Sequence, residues 1–303
     1  MAEESVRSLV GEAERQLADA GVPSPDVDAQ LLMAHVLAVP RAQLIVAPNP
    51  TAEQVDRYQH LVDRRSAREP LQHITGEAYF RHLRLHVGPG VFIPRPETEI
   101  LVDIAIADLE SVRRIDPTAP VTVVDLCTGS AAIPLAIATE LSGVRATAVE
   151  LSPDAAQWAR RNIAAYDEQL AAAGSSVGLI VGDARTAATL LSALNGTVEI
   201  VTCNPPYIPD AAIPRDPEVR DYDPDIALYG GPDGLDIVRD IVDQAAFILK
   251  PGGLLLIEHG DEQGSDVDPA GVPATVAANT RFTDIRDHRD LGARPRVTSA
   301  RRR

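Results

Sequence analysis

Val121-Thr122-Val123-Val124-Asp125-Leu126-Cys127-Thr128-Gly129-Ser130-Ala131 reads as a strand, a tight turn and the first residue of a helix. The leading residues are mostly β-branched and apolar, as a strand covered on both faces requires. Small residues then turn the chain, and Ala131 to Leu141 has helical composition. The alternation continues downstream. Arg145 to Glu150 is a second strand, and Ser152-Pro153 supplies a cap and first position for a helix reaching about Tyr166. Val177 to Val181 and Val198 to Thr202 are the third and fourth strands, and Gly234 to Leu249 is a helix. The turn Pro251-Gly252-Gly253 leads into a fifth strand, Leu254 to Glu258, and Arg281 to Asp287 and Arg296 to Ala300 complete seven. Strands alternating with helices imply an α/β, doubly wound, mostly parallel sheet.

Upstream the pattern is different. A chain of 303 residues is comfortable for two domains. Val6, Leu9, Val10, Ala13 and Leu17 recur at helical spacing, and Gly21-Val22-Pro23 ends that helix. Asp26 offers a cap before Ala29, Leu32, Met33, Val36 and Leu37, and Ala52 to Arg68 is again amphipathic. Leu71 to Val87, with Gly76, suggests a hairpin. Phe92-Ile93-Pro94-Arg95-Pro96-Glu97-Thr98-Glu99 is stiffened by two prolines, and its apolar residues predict packing rather than a solvated linker. The expected organisation is a small all-α domain over 1–70, a hairpin linker over 71–100 and an α/β domain over 101–303.

The net charge is −16, with −3 of it in residues 1–88 and −13 beyond. That balance disfavours a nucleic-acid substrate, which usually calls for a basic patch. Arg301-Arg302-Arg303 is a basic cluster, expected to be a solvated terminus. Cys127 and Cys203 lack metal-ligand spacing and read as small buried thiols in a reducing compartment. The N-terminal residues lack the apolar core of a signal peptide, and no apolar run is long enough to span a membrane. A cytoplasmic protein without a membrane partner is expected.

Three features on successive strand ends suggest a nucleoside site. The turn after the first strand lets backbone N–H groups approach a ligand closely, at the sheet edge where doubly wound folds bind. Glu150 ends the second strand and can accept both hydroxyls of a ribose. Gly182-Asp183-Ala184 ends the third, where the acid can accept from an adenine amino group. A dinucleotide site would call for Gly-x-Gly-x-x-Gly, and with one glycine the turn disfavours hydride transfer. Asn204-Pro205-Pro206-Tyr207 follows the fourth strand. Its prolines remove two backbone donors and rigidify the loop. The Asn204 amide oxygen and Pro205 carbonyl can then point at one spot as acceptors, which suits a planar –NH2 group. Holding both hydrogens favours pyramidal nitrogen and aims its lone pair at an electrophilic methyl, with Tyr207 packed beside the substrate plane. Catalysis of that kind is positioning plus electrostatics. No base is needed before attack.

With that loop the chain resembles the class I S-adenosylmethionine methyltransferases. Pro70-Leu71-Gln72-His73-Ile74-Thr75-Gly76-Glu77, Ile93 to Glu99, and Ala227-Leu228-Tyr229-Gly230-Gly231-Pro232-Asp233-Gly234-Leu235 further resemble the release factor glutamine methyltransferases. The resemblance implies a Rossmann-like seven-stranded domain behind a small helical one. It implies methylation, at N5, of the Gln in the Gly-Gly-Gln motif of class 1 peptide chain release factors, with S-adenosylmethionine as cofactor and no metal. The cofactor's methionine part is then expected against Cys127, Thr128, Gly129, Ser130 and Ala131, its ribose on Glu150, and its adenine near Asp183 and Ala184. Asn204, bordering cofactor and substrate, would hold the Gln amide with Pro205, flanked by Pro206 and Tyr207. Phe92 and Arg95 would line the substrate channel, Glu97 and Thr98 would shape the cofactor pocket, and the helical domain would contact the release factor away from its tip. Cys127 and Ala131 stand where the family has glycines. Each is expected to be a small steric change that narrows the approach to the cofactor, failing only if the position needs positive φ. His259 is expected to be a tolerated polar residue at a strand end. The alternatives are an N-methyltransferase of nucleic-acid bases and a binding protein weakened catalytically by the altered turn.

Overall fold

The computed structural model describes residues 5–115 and 121–303. The chain divides into two compact units: Met1–Glu77 with Pro214–Tyr222, and Ala78–Ile213 with Asp223–Arg303.

The first unit is helical. α1 (Val6–Asp19) is capped by Ser5, whose hydroxyl accepts from the Ser8 amide at 3.2 Å, and it buries Val6, Leu9, Ala13 and Leu17. α2 (Pro25–Leu37) starts one residue before the expected cap. Pro25 takes the first helical position, where its missing N–H is harmless, and Asp26 falls in the first turn instead. α3 (Ala52–Ser66) opens on a Thr51–Gln54 capping box. The Tyr58 hydroxyl donates to the Ala29 carbonyl at 3.0 Å, joining α3 to α2. Arg65, 5% exposed, pairs with Asp28 at 2.7 Å and with Glu218 at 2.9 Å. That second pair brings Pro214–Tyr222 into this unit. Leu71–Thr75 forms one helical turn, closed by Gly76 at φ 76°, and the hairpin begins only at Glu77. The Thr75 hydroxyl bonds back to the Leu71 carbonyl at 3.0 Å, which favours the turn over extended chain.

The second unit is the expected α/β sheet. After the hairpin β1 (Glu77–Phe80) and β2 (Leu83–His86) comes α4 (Glu99–Ile115), a helix the strand–helix alternation does not announce. Then follow β3 (Val121–Leu126), α5 (Ala132–Glu140), β4 (Val144–Glu150), α6 (Pro153–Ala165), β5 (Ser176–Val181), β6 (Val198–Cys203), α7 (Asp236–Ile248), β7 (Leu249–Glu258), β8 (Phe282–Arg289) and β9 (Pro295–Arg302). The sheet order is β5-β4-β3-β6-β7-β9-β8, parallel through β7 and antiparallel at β9 and β8. β7 begins at Leu249 rather than Leu254 because Val198 already pairs with Leu249, so Pro251-Gly252-Gly253 is an irregularity inside the strand. Apolar side chains pack on both faces of the sheet.

The terminal arginines are not a solvated cluster. Arg301 and Arg302 are strand residues of β9. The Arg301 guanidinium pairs with Asp108, and Arg302 Nε donates to the Ala246 carbonyl at 2.7 Å. Both acceptors lie on helices, α4 and α7, while Arg303 is exposed. Among the described residues no helix is long and apolar enough to cross a membrane.

Candidate active site

The chain leaves β3 toward β4 and β5 on one side and returns on the other as β6 and β7. The crevice at that switch point lies between the ends of β3 and β6, where ligands of open α/β sheets bind. Cys127 follows β3 and Asn204 follows β6, and Leu126 pairs with Cys203 in the ladder. The residues expected to hold a nucleoside and those expected to hold an amide therefore meet at one place.

The turn is tied on both sides. The Thr128 amide donates to the Val149 carbonyl at 3.1 Å, and the Gly129 amide donates to Glu150 Oε2 at 2.7 Å. Glu150 Oε1 accepts from the Ser152 amide at 2.8 Å. Burial raises the proton affinity of Glu150 against the pull of these backbone bonds. Asn162, fully buried on α6, donates to the Ser130 carbonyl at 3.0 Å and accepts from the His86 amide at 2.7 Å. Beneath the turn, Asp125 accepts from the Thr128 hydroxyl at 2.5 Å and the Thr202 hydroxyl at 2.6 Å, joining β3 to β6. Burial pushes its carboxyl up to about 7, against the pull of both hydroxyls.

Cys127 and Ala131 are where the sequence expectation needs correction. Their φ values are 59° and 66°, with Gly129 between them at 57°. Both positions are left-handed, so the Cβ atoms are a backbone strain and not merely a narrowing, about 1–2 kcal/mol at each. Cys127→Gly and Ala131→Gly should each leave the turn in place and raise stability by about 1 kcal/mol. Unfolding midpoints equal to the wild type in both variants would show that the turn carries no such strain. Cys127 is half-buried, whereas Cys203 is fully buried. Burial, then the adjoining Cys127 side chain, raises the Cys203 thiol well above its usual range.

The Asn204-Pro205-Pro206-Tyr207 loop is clamped from two sides. The Ile208 amide donates to the Leu228 carbonyl at 2.8 Å, and the Gly230 amide to the Ile208 carbonyl at 2.9 Å. A Cβ on Gly234 would lie 2.2 Å from the Tyr207 carbonyl oxygen, so only glycine lets the two backbones approach. From the other side Gln263 Nε2 donates to the same Tyr207 carbonyl at 3.0 Å, while its Oε1 accepts from the Gly260 amide at 3.1 Å. Pro205 is buried, and Asn204, Pro206 and Tyr207 are half-buried. Burial, then the neighbouring Glu258 charge, raises the Tyr207 hydroxyl above its usual range, so it is a neutral phenol at physiological pH. Asn204 Nδ2 points to the Thr98 hydroxyl at 3.5 Å. Thr98, 4% exposed, therefore stands beside the Asn204 side chain.

Phe92 and Arg95 come together, with the guanidinium 5.0 Å from the ring centroid. Arg95 Nη2 also pairs with Asp223 Oδ2 at 2.7 Å. The Asp223 side chain is completely buried, and burial lifts its carboxyl to about 6 despite Arg95. Asp183 stands at the end of β5, but its carboxylate is held by Arg185, at 2.7 Å in the closest contact. A base amino group there would share the acid with that guanidinium. Ala184 beside it is buried.

Asp125, Asn162, Glu258, Gln263 and Asp223 all support the site, and sequence spacing assigns none of them a role there. They reach it through sheet order. The available signals were weak: an acid inside a buried strand (Asp125), an acid at a strand end (Glu258) and an acid just before the third family-like segment (Asp223), with none for Asn162 and Gln263.

Residues 8–76 match the family model described as the PrmC N-terminal domain. The release factor glutamine methyltransferase of Streptomyces coelicolor is 48% identical over 294 residues, 97% of this chain and 96% of that one. The protein of the same name from Mycolicibacterium smegmatis is 44% identical over 300 residues, 98% of each chain. A solved structure from Alicyclobacillus acidocaldarius, described as protein-(glutamine-N5) methyltransferase (release factor-specific), is 26% identical with a TM-score of 0.39, covering 72% of this chain and 98% of that one. It is the full-length sequence relatives that settle the assignment: with the switch-point turn and the clamped Asn204 loop in one crevice, the chain belongs to the release factor glutamine methyltransferase family.

Proposed function

We propose that the protein transfers a methyl group from S-adenosylmethionine to the N5 side-chain nitrogen of the Gln in the Gly-Gly-Gln motif of class 1 peptide chain release factors, in the cytoplasm. The observation carrying this reading is the Asn204 loop, fixed by Gly234 and Gln263 and set at the switch point beside the β3 turn. Residues 1–70 would contact the factor away from its tip, 71–100 would link, and 101–303 would carry out transfer.

The residues present fit the cofactor. A Cβ built on Gly129 meets nothing within 4 Å, so the turn leaves open space on that side. The Glu150 carboxylate accepts from the Gly129 and Ser152 amides, and the Leu151 amide also lowers its proton affinity, while a carboxylate with about four acceptor sites keeps capacity for a ribose hydroxyl. When bound, S-adenosylmethionine supplies an electrophilic methyl group. Asn204 Oδ1 and the Pro205 carbonyl accept the two hydrogens of the Gln amide. They draw its nitrogen out of conjugation and direct its lone pair, and after transfer the nitrogen releases one of these hydrogens to solvent as a proton, with S-adenosylhomocysteine as the other product. Tyr207, a neutral phenol, packs beside the amide plane. Phe92 and Arg95, held by Asp223, line the approach. The net charge of −16 supports a protein substrate over a nucleic acid.

Glu150→Gln should weaken cofactor binding about tenfold or more, because a neutral amide accepts hydroxyl hydrogens less well and can leave a backbone N–H unpaired. Calorimetric titration with S-adenosylmethionine reads this directly, and an unchanged affinity would move the ribose elsewhere. Transfer itself is tested by peptide mass spectrometry of a release factor after incubation with enzyme and cofactor. One added methyl group on the Gln of Gly-Gly-Gln is the expected product; a methyl group on another residue would overturn the assignment.

A further inference from the structure

Asn204 can hold a substrate –NH2 only if its oxygen, not its nitrogen, faces the crevice. The two ends of an amide are nearly the same shape, so neighbours must decide which way it points. On the protein side stand the Thr98 hydroxyl, 3.5 Å from Asn204 Nδ2, and the carboxylate of Glu258. Glu258 closes β7, and Cys203 pairs with Ile257 in the parallel ladder, which sets Glu258 beside Asn204 at the end of the next strand. The residue is 2% exposed, and its Oε2 has no hydrogen-bond partner. A buried, underused carboxylate is a strong acceptor and cannot donate while ionised.

Building on the proposed amide chemistry, we propose that Glu258 is a positioning residue that orients the Asn204 amide. It attracts the Asn204 nitrogen and the Thr98 hydroxyl, leaving Asn204 Oδ1 for the substrate nitrogen. Protonated Glu258 becomes a donor and favours the opposite, unproductive orientation. Burial pushes this carboxyl up to about 7. Thr98 and Asn204 as donors, and Arg296 of β9, pull it down, while Glu97 pushes it up. Tyr207 faces it as a neutral phenol, and His259, whose burial lowers its proton affinity, is a neutral neighbour.

Two readouts test this. In the full-length protein, the side-chain NH2 resonances of Asn204, assigned by their loss in Asn204→Ala, should shift with pH around a midpoint near 7. That titration should vanish in Glu258→Gln, a neutral substitution of the same size. In release factor methylation, wild-type kcat should fall about tenfold per pH unit below the midpoint. Glu258→Gln should lower kcat at pH 8 by about 10–100-fold and lose the acid limb, with KM and cofactor affinity within about threefold. A titration that persists in Glu258→Gln, or an unchanged acid limb, would overturn the positioning role. If the Asn204 resonances titrate as stated but no methyl group reaches the factor, the orientation stands and the substrate assignment fails.

Discussion

Asn204→Ala should lower kcat for release factor methylation by about 10³-fold or more, at the upper end of what loss of one transition-state hydrogen bond costs. The amide nitrogen of Gln is a poor nucleophile because its lone pair is delocalised, and in the proposed mechanism Asn204 Oδ1 supplies one of the two acceptors that localise it. Pro205 alone can grip one hydrogen but cannot fix the direction of the lone pair. The fold should persist, because Asn204 is half-buried and its side-chain bond to Thr98 is long at 3.5 Å, although Glu258 loses one of its donors. Cofactor affinity should stay within a few-fold. Single-turnover kinetics separate the chemical step from binding. A variant turning over near the wild-type rate would remove the amide-holding loop from the mechanism.

Asp125→Asn should change the pH dependence of stability. Folding raises this carboxyl from 3.8 to about 7, chiefly through burial. Between those values the native protein keeps a proton that the unfolded chain has released. Its contribution to stability is therefore fully present at low pH and is lost as pH rises to about 7, by about 1.4 kcal/mol per unit. The amide that replaces the carboxyl has no such dependence and can still bond both threonine hydroxyls. From pH 5 to pH 8 the stability difference should therefore move in favour of Asp125→Asn by about 2–3 kcal/mol. Urea denaturation at the two pH values measures it. A constant difference would mean that Asp125 ionises in the native protein as it does in the unfolded chain.

Much of this was legible in sequence for identifiable reasons. β3, β4 and β6 are apolar runs bounded by turns, and Ser152-Pro153 marks the start of α6 with a cap that the structure keeps, its hydroxyl accepting from the Ala155 amide at 3.3 Å. Two consecutive prolines make the Asn204 loop conspicuous. Gly230 and Gly234, in the third family-like segment, are explained by the carbonyls of Pro206 and Tyr207 lying against them. What escaped was tertiary. Thr98 and Glu258 are far from Asn204 in the chain, and Glu258 meets it only because β6 and β7 are neighbours. The left-handed backbone at Cys127 and Ala131 was signalled only by the glycines that the family has there, because the residues themselves carry no such mark. Arg301 and Arg302 read as a charged tail because the helices that offer Asp108 and the Ala246 carbonyl beside β9 are invisible from composition.

The most direct measurement is methyl transfer from radiolabelled S-adenosylmethionine to a purified class 1 release factor, beside its Gln→Ala variant in the Gly-Gly-Gln motif and beside tRNA and DNA. Label on the intact factor alone is the predicted result. Label on the Gln→Ala variant or on nucleic acid, or none on the intact factor, would contradict glutamine methylation by this site.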